Sequence, residues 1–382
     1  MLYVLKKSCT VFLALLLALF CAVPAFAADL HFGEDGKFRV LLIADPQDDE
    51  TPEPDMAPLI EAAIRKSSPD LIIVLGDMVE DHDVNSYIDS DGKRVALSYA
   101  ETLENCRAAL RSVYAPIIRS SVPYTTVLGN NDYLSGVTAQ DWFKLLQEQD
   151  GILLPETIAD PDGRIDNMLP VYGADGKELL RLFTLDTGKK GVTSEQIRAF
   201  GKANDQRSIP AVVFQHIPVS EAGWFWQYCF PWDDGAIARG RFFRLKLNTR
   251  VARGDDHGEL WDNNISLQFL NWKACGNVIG AYFGHTHNFS VEGTWCGIRM
   301  GFVYSDRWNG GYQHGAMLLT FDKDDVRNYE TTVYRYTGSV TTGDASLDVE
   351  TYPDPPHYTP LEWFLHERQL FRNYIAQKFF SK

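Results

Sequence analysis

Short runs of Val, Ile and Leu recur along the chain, and stretches with apolar residues at helical spacing lie between them. Residues 38–44, 70–75 and 124–128 read as fully buried strands, because apolar positions follow one another without a polar face and turn residues bound each run. Residues 179–185, 211–215 and 278–283 repeat the pattern. Apolar spacing predicts helices over 58–67, 99–114, 193–202 and 265–274. The second of these is expected to end before Pro116, whose nitrogen has no hydrogen to donate to a helical carbonyl. Strands and helices in alternation specify an α/β fold with layered sheets. Past Val291 the helices stop, and short strands are expected at 297–304, 316–321 and 327–336. Residues 338–358 are rich in Gly, Ser, Thr, Pro and Asp and read as a linker. A last helix is predicted over 361–380, its stripe of Leu361, Phe364, Leu365, Phe371, Tyr374 and Ile375 packing back on the domain.

The first residues follow a different logic. Lys6 and Lys7 precede an apolar run over 11–23, and Pro24, Ala25, Phe26 and Ala27 close it. A positive flank, a short apolar core and small residues at an A-x-A site describe a secretory signal peptide. The run is shorter than the ~20 residues a spanning helix needs, so cleavage after Ala27 and export of a soluble mature chain are expected. The domain plan is then a signal peptide at 1–27, one α/β domain at 28–337, and a linker with its packed helix at 338–382.

Composition narrows the function classes. The 382 residues are 45% hydrophobic, enough for a sizeable core, and the net charge is −15. Loss of the two leader lysines takes the mature chain to −17. The basic footprint of a nucleic-acid binder is missing, so no nucleic-acid partner is expected, while acidic clusters suit cations. Four cysteines remain after cleavage: Cys106, Cys229, Cys275 and Cys296. They allow three pairings, and a chain of this size needs none. No C-x-x-C, G-x-S-x-G, H-E-x-x-H or P-loop sequence is present.

Candidate chemistry gathers where strands end, as it does in open α/β sheets. The five clusters are Asp45-Pro46-Gln47, Gly76-Asp77, Gly129-Asn130-Asn131-Asp132, Gln215-His216 and Gly284-His285-Thr286-His287. Singly, each reads as a turn, a cap or a core histidine. His285 and His287 alternate in an extended segment and face the same way. Together the clusters supply carboxylates, amide oxygens and imidazoles, a mixed set suited to two divalent metals.

In this order the motifs resemble those of the calcineurin-like metallophosphoesterase superfamily, whose pattern is D-x-H, G-D, G-N-H-[DE], a lone His after a strand, then G-H-x-H. The surrounding text, PDLIIVLGD, PYTTVLGNND, PAVVFQHIP and AYFGHTHNF, is similar to the branch related to purple acid phosphatases, and the likeness spans about residues 37–321. The resemblance implies a sandwich of two mixed sheets flanked by helices. It also implies a hydrolase of small phosphomonoesters or phosphodiesters with two divalent ions, drawn from Mn, Fe, Zn and Mg, and the leader makes it an exported one. The first metal would take Asp45, Asp77 and His287, with Gln47 at a ligand position. The second would take Asp77, Asn130, His216 and His285, and Asp77 would bridge. Asn131, Asp132 and His216 stand at the catalytic positions, Asp132 by orienting its loop.

Two positions depart from that pattern. Gln47 replaces the first motif's histidine, so an imidazole becomes an amide or the ligand is lost. Asn131 replaces the histidine that contacts phosphate and protonates the leaving group, and an amide cannot transfer a proton at ordinary pH. Nor does the second motif carry the tyrosine that purple acid phosphatases use to bind iron. Asp48, Asp49, Glu80 and His82 lie close by in sequence and either compensate for the lost ligand or, the favoured reading, are solvated loop residues. These departures favour a second reading, a phosphoesterase scaffold that binds metal or a phosphorylated ligand without turnover. The aromatic run Trp224-Phe225-Trp226-Gln227-Tyr228, with Phe230 and Trp232, either walls a cleft or forms a satellite hydrophobic cluster.

Overall fold

Strand Lys37–Ile43 shows why two sheets must stack. Val40 and Leu42 face one side, Leu41 and Ile43 face the other, and all four are fully buried. A strand apolar on both faces needs a cover on each. In the computed structural model, which describes residues 30–155, 164–230, 235–239, 243–256, 266–287, 289–306, 314–336, 347–350 and 368, one cover is a second sheet and the other a layer of helices.

The first sheet has six strands in the order Leu347–Glu350, Glu330–Tyr336, Gly315–Asp322, Lys37–Ile43, Leu71–Val74 and Tyr124–Thr126. The last three are mutually parallel and the others pair antiparallel. The second has eight, in the order Leu30–His31, Asn167–Tyr172, Glu178–Leu185, Ala211–Gln215, Val278–Phe283, Ile298–Phe302, Phe289–Trp295 and Ala252–Asp256. Glu178–Leu185 through Ile298–Phe302 run parallel. Between the sheets Val40, Leu42, Leu71 and Ile73 meet Leu180, Leu182, Val212 and Phe214. Outside the first sheet, Leu41, Ile43, Ile72 and Val74 lie under helices Met56–Ser67, Tyr99–Ser120 and Ala139–Gln147. Outside the second, Phe183, Val213 and Phe283 pack with Phe200 of helix Ser194–Ala203 and with Phe269 and Trp272 of helix Gln268–Cys275. The parallel strands of both sheets therefore end at one edge, where a bridge from Ala44 to Ser305 joins them.

Several sequence expectations change. Helix Tyr99–Ser120 runs through Pro116 instead of stopping before it. An interior proline costs a helix about 3 kcal/mol, and the buried row Cys106, Ala109, Leu110, Val113, Tyr114 and Ile117 outweighs that cost. Strands Asn167–Tyr172, Ala252–Asp256 and Phe289–Trp295, and helix Ala139–Gln147, were not expected. Strand Leu347–Glu350 lies inside the stretch read as a linker and extends the first sheet. The leader, the rest of that linker and the C-terminal apolar stripe lie outside the described residues. No helix of the described residues is long and apolar enough to cross a membrane. No disulfide joins cysteines among the described residues; Cys106 and Cys275 are buried and Cys296 is exposed.

Candidate metal centre

Each candidate donor follows a strand. Asp45 lies just past Lys37–Ile43, Asp77 past Leu71–Val74, His216 directly after Ala211–Gln215, and His285 and His287 past Val278–Phe283. Asn130 opens the short helix Asn130–Leu134 that follows Tyr124–Thr126. The chain bends sharply to present them. Asp45, Gln47, Asp77 and His285 have positive φ, four of the seven such non-glycine residues described, so backbone strain is concentrated here. Glycines make the close approach possible. A Cβ on Gly129 would stand 2.1 Å from Asp77 Oδ1, and one on Gly284 would stand 2.7 Å from Asp45 Oδ2.

Four donors from both sheets converge on one point. His216 Nε2 lies 3.1 Å from Asn130 Oδ1, 3.1 Å from Asp77 Oδ2 and 3.2 Å from His285 Nδ1. On its other side His216 Nδ1–H donates to the Leu75 carbonyl at 2.8 Å, which turns Nε2 toward the cluster. Spacings of roughly 3 Å are those of neighbouring ligands around a cation with bonds of ~2.1 Å. Asn130 Oδ1 and Asp77 Oδ2 can only accept, so Nε2 must carry a proton toward them or share a cation with them. Burial pulls the His216 imidazole down, but the Asp77 and Asp45 charges outweigh it and push its pKa up to about 9. Burial and the His216 charge together lower His285 to about 3, leaving a neutral imidazole with a free lone pair. The donor set, with a carboxylate, an amide oxygen and two imidazoles, fits a borderline divalent ion.

That is the group expected for the second metal, and the group expected for the first adjoins it. Asp45, Asp77 and His287 bring ligand atoms within 4.8 Å of one another, and His287 Nε2 lies 3.5 Å from Asp45 Oδ1. The Asp45 carboxylate is held by the His285 N–H, at 3.0 Å and 2.9 Å from its two oxygens. Asp77 belongs to both groups. Gln47 is buried beside them, and its backbone N–H donates to the Asp77 carbonyl at 2.9 Å.

Asn131 and Asp132 act on the frame. The Asn131 backbone N–H donates to Asp77 Oδ1 at 2.8 Å and its side-chain amide to Asp77 Oδ2 at 3.0 Å, so this residue clamps the shared carboxylate. Asp132 is fully buried and accepts from the backbone N–H groups of Gly129, Met78 and Val79 at 2.8, 2.9 and 3.2 Å. It is a positioning residue that ties the second and third motif loops together. Burial, then the neighbouring Asp77 charge, holds its carboxyl well above the usual range.

Asp48 is not the solvated residue expected from sequence. It is 1% exposed, and burial raises its carboxyl above the usual range. Among the described residues, neither it nor Asp49, Glu80 or His82 joins a group of potential ligands. The aromatic run divides. Phe225 and Trp226 are buried and pack on Phe302, whereas Trp224 is exposed and stacks on Trp295 at 5.1 Å. Tyr228 and Phe230 are exposed as well, and Trp232 lies outside the described residues. Sequence reasoning passed over Ser305 and Asp306, which also follow a strand end and lie against Ala44 and Asp45. The rule that found the other five clusters would have found this one.

An Arabidopsis thaliana protein named "Probable inactive purple acid phosphatase 29" is 23% identical over 336 residues, covering 78% of this chain and 76% of the relative. A second from the same organism, "Probable inactive purple acid phosphatase 14", is 26% identical over 202 residues, covering 44% and 45%. Among solved structures, a dimetal phosphatase from Danio rerio is similar at 12% identity with a TM-score of 0.48, covering 83% of this chain and 99% of that one. The calcineurin-like phosphoesterase family model matches residues 25–289, the span that holds all the clustered donors, and the chain belongs to that family.

Proposed function

We propose that the chain is an exported, metal-dependent phosphohydrolase of small phosphate esters. The observation that carries this reading is the convergence of Asp77, Asn130, His216 and His285, with Asp77 shared by Asp45 and His287. Two divalent cations held by these residues would activate water and neutralise phosphate oxygens. The protein's own part is to fix the donors. The Leu75 carbonyl orients His216, the His285 amide holds Asp45, and Asn131 holds Asp77. The second group keeps two imidazoles and an amide oxygen, and the first has one imidazole, so one tight and one looser ion are expected. Export rests on the signal-like residues 1–27.

Asn131 sets the limit on the chemistry. It has no proton to give a departing oxygen, and its amide is engaged with Asp77. Positioned proton transfer typically contributes ~10²–10⁴-fold, most where the leaving oxygen is basic. Aryl phosphates should be cleaved and alkyl phosphates should be slow, with a steep dependence on leaving-group pKa. Rates across a series of aryl and alkyl esters, with metal supplied and then chelated, test this. Asn131→His should raise the alkyl rates most. A wild-type protein equally fast on both classes would overturn the assignment of Asn131.

The clamp of Asn131 on Asp77 also favours a second reading, a protein that binds metal or a phosphorylated ligand without turnover. The word "inactive" in the names of the two relatives points the same way. That reading takes over if neither wild type nor Asn131→His hydrolyses any ester while metal-loaded protein still binds inorganic phosphate.

A further inference from the structure

Asp306 is a buried acid that the ligand set does not use. Ser305 pairs with Ala44 across the parallel bridge between the sheets, and the Asp306 N–H donates to the Ala44 carbonyl at 2.8 Å. The Ser305 hydroxyl donates to the Asp45 carbonyl at 2.9 Å. Asp45 and Asp306 are therefore the next residues along two paired chains, a separation of about 5 Å between backbones. Asp306 is 1% exposed, and among the described residues neither carboxylate oxygen has a hydrogen-bond partner. Other fully buried acids differ. Asp132 accepts from three backbone N–H groups, and Asp186 accepts from Tyr133 Oη–H at 2.6 Å and from the Ile165 and Gly188 N–H groups. Asp306 stands outside the two groups whose ligand atoms lie within 4.8 Å of one another, but two buried acids on neighbouring chains, one without donors, call for a positive charge between them.

The first metal group is the one that lacks a donor, because Gln47 stands at its imidazole position. We propose that Asp306 supplies the replacement, a carboxylate ligand to a divalent cation shared with Asp45, bound directly or through one water. This rests on the metal-dependent reading above and deepens it. With Asp45, Asp77 and Asp306 against a single imidazole, the first position becomes oxygen-rich and selects a harder ion, Mn²⁺ or Mg²⁺ over Zn²⁺. The second keeps its nitrogen-rich, borderline character. Burial and the Asp45 charge, which together hold the Asp306 carboxyl well above the usual range when no cation is present, agree with this.

Mn²⁺ titration of the mature wild type, Asp306→Asn and Asp306→Ala tests the assignment, with melting in chelator run alongside. Wild type should bind two Mn²⁺ ions of unequal affinity. Both variants should keep the tight ion and hold the looser one at least tenfold more weakly. In chelator, Asp306→Asn should melt no lower than wild type, because the amide keeps the shape of the carboxyl and has no charge to bury. Asp306→Asn is isosteric and keeps the test usable if Asp306→Ala does not fold. Unchanged affinity for the looser ion in the variants would overturn the proposal and leave the metal-dependent reading standing. Equal weakening of both ions would also overturn it, assigning Asp306 to the fold. A wild type that binds no metal would overturn both.

Discussion

Asn131 and Gly129 show how single positions act on a site whose ligands they are not. Asn131 grips the shared carboxylate through both its backbone and its side chain, so the position that governs proton supply also governs where Asp77 sits. Replacing it changes chemistry and geometry together, which is why the leaving-group series is more informative than a single rate. Gly129 has a simpler role. A methyl group there would meet Asp77 Oδ1 at 2.1 Å and the Asp77 nitrogen at 2.5 Å, and backbone atoms cannot yield as a flexible side chain can. Gly129→Ala should displace Asp77, weaken both metal ions, and lower stability by about 1–3 kcal/mol. Calorimetric metal titration and urea unfolding in chelator would check it. Intact binding of both ions would show that the loop has slack the close contact does not suggest.

Strand ends were legible in the sequence because the buried strands are mostly apolar. The first Asp, Asn or His after an apolar run marks the edge of the sheet, as Asp45, Asp77, Asn130 and His216 do. Where an element mixes signals the reading failed. Pro170 disguised strand Asn167–Tyr172, yet a proline is tolerated there because only the two-residue strand Leu30–His31 lies beyond it. Pro116 misplaced a helix end that buried packing overrides. Helix Ala139–Gln147 was signalled by the Thr138 cap and by Trp142, Leu145 and Leu146 at spacings of three and four. Its first turn also carries a testable pH effect. Lys144, then Tyr99 and Thr138, hold the Asp141 carboxyl down from its ordinary 3.8 to about 2. A depressed folded pKa means stability that is full above about pH 4 and is lost as pH falls toward 2. Asp141→Asn should flatten the acid limb of unfolding across that window by under ~1 kcal/mol, since the pair lies near the surface. Measured stability against pH for the two proteins would show it, and parallel curves would contradict it.

For the whole molecule, the existence of strands was readable but their partners were not. Glu330–Tyr336 is the next strand along the chain, but nothing local places Gly315–Asp322 against Lys37–Ile43, because that pairing joins residues hundreds of positions apart. The site inherits that non-locality. Its donors come from both sheets, and Asp45 meets the amide of His285, 240 positions along the chain. A cation can be gripped only once both sheets and their last loop are in place, so it is expected to bind after the rate-limiting step of folding. Its stabilisation should then fall on the unfolding arm alone. Metal at a hundred times its dissociation constant stabilises by ~2.7 kcal/mol, which slows unfolding about a hundredfold. Urea-jump kinetics should show that slowing while the refolding rate stays unchanged, and metal-accelerated refolding would contradict it. A chelator would then shorten the lifetime of the folded protein without hindering its formation.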